Sequence, residues 1–319
     1  SALEPERTEA RIERTLRIAM AGQGLSEVLN YSFVSMRELE AFEATAQAIQ
    51  VSNPLSAEQS VMRTTLLPGL VQNVVRAARH QTTGVRLYEL ARSYRQSPNG
   101  GREGRPVAEE RLELAGALWG LRSGTRGWAA KDEPVDFYDA KGAVEAVLRA
   151  LHIEGATFGP LESPWFHPRA SASVSVKGDT LGTIGALHPR VVKRLDAPAG
   201  VLMFQLDVAK LQQLAKLVPQ AAPLPKYPAV LRDLAVVVPT EMPSDAVREV
   251  ILDVGKPLVT RVEVFDVYAG PQVGEGKKNV AFALAYSAAD RTLTDVEVAA
   301  AHQRIVAEVT QRLGGVLRT

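Results

Sequence analysis

Apolar residues recur at helical spacing near the start of the chain, at Ile12, Leu16, Ala19 and Met20, with Pro5 ahead of the run and Gly22 and Gly24 after it. That pattern predicts a helix over residues 5–21. VLNYSFVS (28–35) is rich in β-branched and aromatic residues and predicts a strand, and SNPLS (52–56) a turn. A second helix is expected to start near Pro68, because proline suits the first helical position. VRLYELARSYR (85–95) and RLELAGALWG (111–120) alternate as strands, with the Gly-, Pro- and Arg-rich loop 97–106 between them. DFYDAKGAVEAVLRALHI (136–153) reads as an amphipathic helix begun at Asp139 or nearby. SASVSV and TLGTIGAL flank Lys177-Gly178-Asp179 and predict a hairpin. VLMFQLDVAKLQQLAKL (201–217) is a strand running into a helix.

QAAPLPKYP (220–228) is proline-rich and predicts a linker, placed at 219–225 between domains at 1–218 and 226–319. After it the period alternates between two and 3.6. VLRDLAVVV, SDAVREVILDVG, VTRVEVFDVY, KNVAFALAYS, TDVEVAAAHQRIVAEVTQRLG and VLR read as βαββαβ, the ferredoxin-like order.

Composition narrows the chemistry. The chain has 319 residues, 46% of them hydrophobic and 23% charged, which suits two globular domains with real cores. It has no cysteine, so disulfides, thiol catalysis and cysteine-ligated metals are excluded. A formal charge of +1 supplies no global attraction to nucleic acid or membrane. No apolar run is long enough for a membrane helix, and a cytoplasmic location is expected. The Ser-Ala start without Met suggests a trimmed chain.

Candidate active residues are few. His-Pro-Arg occurs at His167–Arg169 and again at His188–Arg190, and the hairpin brings the two steps close together. A metal site would need a third ligand at suitable spacing, and neither strand offers one. Proline in each step stops strand pairing, so the strand-terminator reading is preferred and no metal is expected. GEGKKN (274–279) lacks the spacing and Ser/Thr of a phosphate loop, and no serine lies in a nucleophile-elbow context. Paired acids such as Glu109-Glu110 and Asp132-Glu133 read as solvated. No self-sufficient catalytic constellation is expected.

SNPLSAEQSVMRTTLLPGL, RLYELARSY, DFYDAKGAVEAVL, FHPRASASV, GTIGALHPRV, KYPAVLRDLAVVV, VEVFDVY, GKKNVAFALAY and RTLTDVEVAAAHQRIV together resemble the bacterial phenylalanyl-tRNA synthetase β subunit, in that family's order over nearly the whole chain. The resemblance implies an α+β protein. Its first domain would be class II synthetase-like, a catalytic-like domain on an antiparallel sheet with helices. Its second would be a ferredoxin-fold anticodon-binding domain. The family's β subunit is longer, with N-terminal tRNA-binding, editing and helix-turn-helix-like modules. A working class II site holds ATP with an arginine in its second motif and another in its third, where guanidinium forks suit phosphate charge. VRLYELARSYR does not carry the family's arginine-x-glutamate pattern, and VLMFQLDVAKL has neither glycine nor arginine. The resemblance therefore implies a pseudo-catalytic chain without catalytic residues or a cofactor of its own, with ATP and magnesium used by the α subunit of an α2β2 assembly.

Under that resemblance the first-motif region is the partner interface, with Leu66, Leu67, Pro68 and Leu70 as buried partner contacts and Arg63 as a polar anchor; the alternative is that the leucines fill this domain's own core. For tRNA(Phe) the candidates are Lys226, Tyr227, Arg232, Arg261, Phe265, Lys277, Lys278 and Arg291. Residues 226–319 carry 11 Lys or Arg against 12 Asp or Glu, so phosphate binding there must rest on a local cluster. The sheet's open face is expected to carry one aromatic, Phe265, too few for extended base stacking. A stand-alone scaffold or RNA-binding module derived from such a subunit, and a metal enzyme using His167 and His188, are the competing readings.

Overall fold

The computed structural model describes residues 7–97, 108–123, 133–218 and 226–317. The chain divides into two compact units, residues 1–219 and 220–319. Most of the loop expected at 97–106, the linker at 219–225 and Asp132 lie outside the described residues.

In the first unit the order is α1 (Thr8–Gly22), β1 (Ser26–Glu27), β2 (Phe33–Val34), α2 (Met36–Ala41), β3 (Val61–Met62), α3 (Leu67–Arg79), β4 (Gly84–Gln96), β5 (Ala108–Gly120), α4 (Phe137–Ala150), β6 (Ala156–Gly159), β7 (Phe166–Val176), β8 (Asp179–Leu187), α5 (Pro189–Leu195), β9 (Leu202–Asp207) and α6 (Val208–Leu214). Seven strands form one sheet in the order β1-β4-β5-β9-β8-β7-β6. Its pairs are antiparallel except at one edge, where β1 runs parallel to β4. The expected antiparallel sheet is therefore a mixed one.

Alternation along the central strands splits the core in two. Leu114, Leu118, Phe204 and Leu206 face α1 and α4, packing with Leu16, Met20 and Val144. Ala115, Ala117 and Met203 point the other way, to Leu66, Leu70 and Val74 at α3. Gly116 makes room for Phe204, since a Cβ there would stand 2.3 Å from the ring. Pro68 lies in the first turn of α3 as expected. The hairpin turn forms at Lys177 and Gly178, both at positive φ. α4 starts earlier than expected, capped by Asp136, whose carboxylate accepts from the Tyr138 and Asp139 backbone N–H groups.

One expected strand is not continuous. Residues 28–35 form only the two-residue β2, because the Asn30 backbone N–H donates to the Glu89 side chain at 3.1 Å rather than to a ladder.

The second unit is β10 (Val230–Pro239), α7 (Ser244–Gly255), β11 (Val259–Tyr268), β12 (Lys277–Tyr286), α8 (Asp295–Leu313) and β13 (Val316–Leu317). The strand order β11-β12-β10-β13 with two helices is the ferredoxin-like arrangement the alternation predicts. Leu234, Val236, Val280, Phe282 and Leu284 form its core with Val247, Ile251, Val298 and Ile305 of the helices. The Tyr286 hydroxyl, pushed up to about 12 by burial, shares a 2.9 Å hydrogen bond with His302 Nδ1.

Candidate functional site

The polar end of the large sheet lies on the α3 side. Arg95, Thr183 and Gln205 arrive there from β4, β8 and β9, and with Thr65, Phe42 and Trp165 they line a cavity of about 240 Å³. Gln205 is fixed at both ends: Oε1 accepts from the Thr65 hydroxyl, and Nε2 donates to Glu113 Oε1 at 2.9 Å. Glu113 is buried, and its Oε2 has no hydrogen-bond partner. Burial pushes this carboxyl up to about 7. The nearby Asp207 adds to the rise, while Ser93, Arg95 and Arg111 oppose it. The Ser93 hydroxyl is buried nearby and likewise has no hydrogen-bond partner. Local spacing could not have joined residues from four strands; the one signal was an acid at an inward position of LELAGAL.

The nominated partner contacts occupy a different place. Leu66, Leu67, Pro68 and Leu70 are buried in this unit's own core, the placement that the packing alternative describes. Arg63 is likewise internal, 4% exposed, with Nη1 at 2.8 Å from Glu89 Oε1 and Nε donating to the Arg92 carbonyl at 2.9 Å. Glu89 Oε2 accepts from Asn30 Nδ2 at 2.8 Å, and Asn73 Nδ2 donates to Asn30 Oδ1 at 2.9 Å. This network holds segment 28–34 against β4. On that segment Leu29 is 87% exposed and Tyr31 75%, with Phe33 also outward and Leu55 exposed on a following loop. A groove of about 880 Å³ runs beside them, lined by Tyr31, Phe33, Arg76 and Arg79 among others. The apolar letters of VLNYSFVS were visible in the sequence; their outward direction was not, since it depends on Glu89.

The two histidines do the same local work. Nδ1 of His167 accepts from the Arg169 N–H at 3.2 Å, and Nδ1 of His188 from the Arg190 N–H at 3.1 Å, capping α5. Among the described residues no group of three or more His, Asp or Glu side chains could hold a metal.

The residues nominated for RNA do not form one cluster. Arg232 and Arg261 lie near the Tyr286 end of the sheet, opposite Leu284 and Ala285, and exposed Lys226 and half-buried Tyr227 just precede β10. Lys277 and Lys278 lie at the other end, opposite Pro239 and Val238, roughly 20–27 Å away along the strands. Arg232 pairs with Asp295 at 3.4 Å. Arg291 binds Glu297 at 2.7 Å, which with the Thr294 cap holds that carboxylate at about 2. Arg261 sits 3.7 Å from Glu263. Lys277 is exposed; Lys278 is half-buried, its pKa lowered by burial against the pull of Glu241. Phe265 is not on a middle strand: it is the extra residue of a bulge in the edge strand β11, between Val264 and Asp266. The register sets Asp233, Glu263 and Asp266 beside a row of alanines on β12, with Arg261 opposite Ala285 and Lys277 at the end of the same face, a mixed face without the positive excess that phosphate needs.

The chain is a two-unit α+β protein, a helix-flanked sheet followed by a ferredoxin-fold unit. Residues 2–208 match the family model for the phenylalanyl tRNA synthetase beta chain CLM domain, and residues 225–318 that for the ferredoxin-fold anticodon binding domain. The phenylalanine–tRNA ligase beta subunit of Anaeromyxobacter dehalogenans is 44% identical over 98% of this chain, and that of Moorella thermoacetica 39% identical over 100%. The Geobacter sulfurreducens subunit is 35% identical over 97%. The chain belongs to the phenylalanyl tRNA synthetase beta chain family. It spans 38–39% of the length of these relatives. Among the described residues no helix is long and apolar enough to cross a membrane.

Proposed function

We propose that this chain supplies subunit assembly and tRNA contact to a cytoplasmic phenylalanine–tRNA ligase. ATP, magnesium and the attachment of phenylalanine to tRNA(Phe) belong to the α subunit of an α2β2 enzyme. The observation that carries the reading is the outward row Leu29, Tyr31 and Phe33, held on the buried Arg63–Glu89 pair. Exposed apolar groups on a rigidly fixed segment beside a groove suit a permanent protein interface. This row, rather than Leu66, Leu67, Pro68 and Leu70, is the surface that meets the α subunit.

The tRNA contact falls to the Lys277–Lys278 end of the second unit. There a loop with Gly274 and Gly276 at positive φ brings backbone close to Lys277, and Thr240 lines the same hollow. At the opposite end Arg232, Arg261 and Arg291 each have a carboxylate neighbour that a phosphate would have to displace.

Sedimentation of the chain mixed with α subunit, and then with tRNA(Phe) at low and moderate salt, tests both halves. Tyr31→Asp is expected to abolish the complex. Lys277→Glu with Lys278→Glu is expected to weaken tRNA binding, with a smaller salt dependence, more than reversal of Arg232 and Arg261 does. No association of the unaltered chain with the α subunit would overturn the assembly reading.

A further inference from the structure

The cavity over Arg95 and Gln205 plays no part in assembly or tRNA contact, yet it is built like a small-ligand site. Its volume of about 240 Å³ falls just below the usual range of such sites and so suits only a small ligand. Phe42, Ala44, Ala46, Leu67 and Trp165 supply apolar wall. The polar groups among them are unevenly committed. Two acceptors are already occupied, the Gln205 carbonyl by Thr65 and the Glu43 carboxylate at the rim by Arg190 at 2.6 Å, while the exposed Gln47 amide offers both a donor and an acceptor. Donors are in surplus. The Arg95 guanidinium reaches only as far as the Thr64 carbonyl at 3.3 and 3.4 Å, long for a charge-assisted bond. The Trp165 indole N–H is buried with no hydrogen-bond partner, and the Thr183 hydroxyl also lines the space.

A half-open cavity with an apolar wall, a guanidinium and further N–H and O–H donors selects a ligand that has an anionic acceptor at one end and a hydrocarbon body. We infer that this cavity binds a small aliphatic or aromatic monocarboxylate, its carboxylate on Arg95 and Thr183 and its apolar body between Phe42, Leu67 and Trp165. Arg95 is the selecting residue: a planar fork matches a carboxylate with two parallel hydrogen bonds, and a neutral head group forfeits the charge. Glu113 bears on this through Gln205, whose amide it accepts from and so holds in one orientation, and through its charge interaction with Arg95. The site stands apart from the Leu29–Phe33 surface and shares none of its residues. Its failure would leave the assembly reading untouched, and the reverse also holds.

The test is calorimetric titration of the chain with 4-methylpentanoate and, separately, with its primary amide, below pH 7 where Glu113 keeps its proton. The carboxylate is expected to bind at least about tenfold more tightly than the amide. Arg95→Gln should erase that preference. Arg92→Gln, which removes an equal charge from an exposed position paired with Glu110 at 3.5 Å, should leave it intact. Comparison of the two probes on the unaltered chain needs no variant to fold. Equal binding of both probes, retention of the preference in Arg95→Gln, or no heat from the carboxylate up to roughly 10 mM, weaker than any useful site, would each overturn the inference.

Discussion

Two buried carboxylates sit on the same face of the same sheet, on adjacent strands, and meet opposite treatment. Glu89 of β4 is 1% exposed and saturated: Arg63 on one oxygen, the Asn30 amide on the other, and the Asn30 backbone N–H besides. Glu113 of β5 has one amide from Gln205 and an oxygen without a partner, and burial holds it near neutrality. Around Glu89 ionisation is compensated, and the pair organises a fixed external segment. Around Glu113 ionisation is resisted, and the surrounding residues leave a cavity. Full pairing marks the region that holds a shape; partial pairing marks the region with room for something else.

Removing Glu89 should have the largest effect. Glu89→Ala leaves the Arg63 guanidinium buried without its counter-charge and strips Asn30 of two bonds, for a loss of about 3–5 kcal/mol. Urea unfolding would measure it, and a loss below about 1 kcal/mol, the range of an exposed pair, would mean that Arg63 is not dependent on this acid.

The same contrast explains what the sequence could and could not disclose. Features set by neighbours in the chain were readable: the Lys177-Gly178 turn, proline at the start of α3, and the two periods that give βαββαβ. Features set by distant residues were not. The segment 28–35 looks like a strand by composition, but Glu89, 59 positions beyond Asn30, takes the backbone N–H that a ladder would need. Leu66 and Leu70 are apolar either way, and only the packing of α3 on the sheet shows which surface they fill. The alternation that put Phe265 on the open face is broken by one extra residue in β11, which nothing in VTRVEVFDVY announces. The cavity is the extreme case, since Arg95, Thr183 and Gln205 meet only through strand order.

Glu113 provides the intermediate effect, with the opposite sign. Between its ordinary value of 4.5 and about 7 the folded chain retains a proton that the unfolded chain has released. Stability therefore falls as pH rises through that window, by on the order of 3 kcal/mol. Glu113→Gln keeps an acceptor for Gln205 and cannot ionise. The variant should exceed the unaltered chain in stability above pH 7, and the advantage should vanish below pH 4.5. Paired urea unfolding at both ends of that range checks it; a constant difference would show that packing, not ionisation, separates the two proteins.

The smallest effect lies at the surface the Glu89 region carries. Leu29 and Leu55 are 87% and 94% exposed, so neither loses appreciable buried area in the isolated chain when it is shortened. Leu29→Ser and Leu55→Ser should change unfolding free energy by no more than about 0.5 kcal/mol, as is usual for surface positions. That near-neutrality is the informative result. The Arg63–Glu89 pair would then be the element that fixes segment 28–34, with the outward side chains contributing nothing to its position and remaining available to a partner. A loss of more than about 1 kcal/mol, beyond the surface range, from Leu29→Ser would instead mean that this side chain packs within the unit in solution, and the difference between the two buried acids would no longer extend to the surface above them.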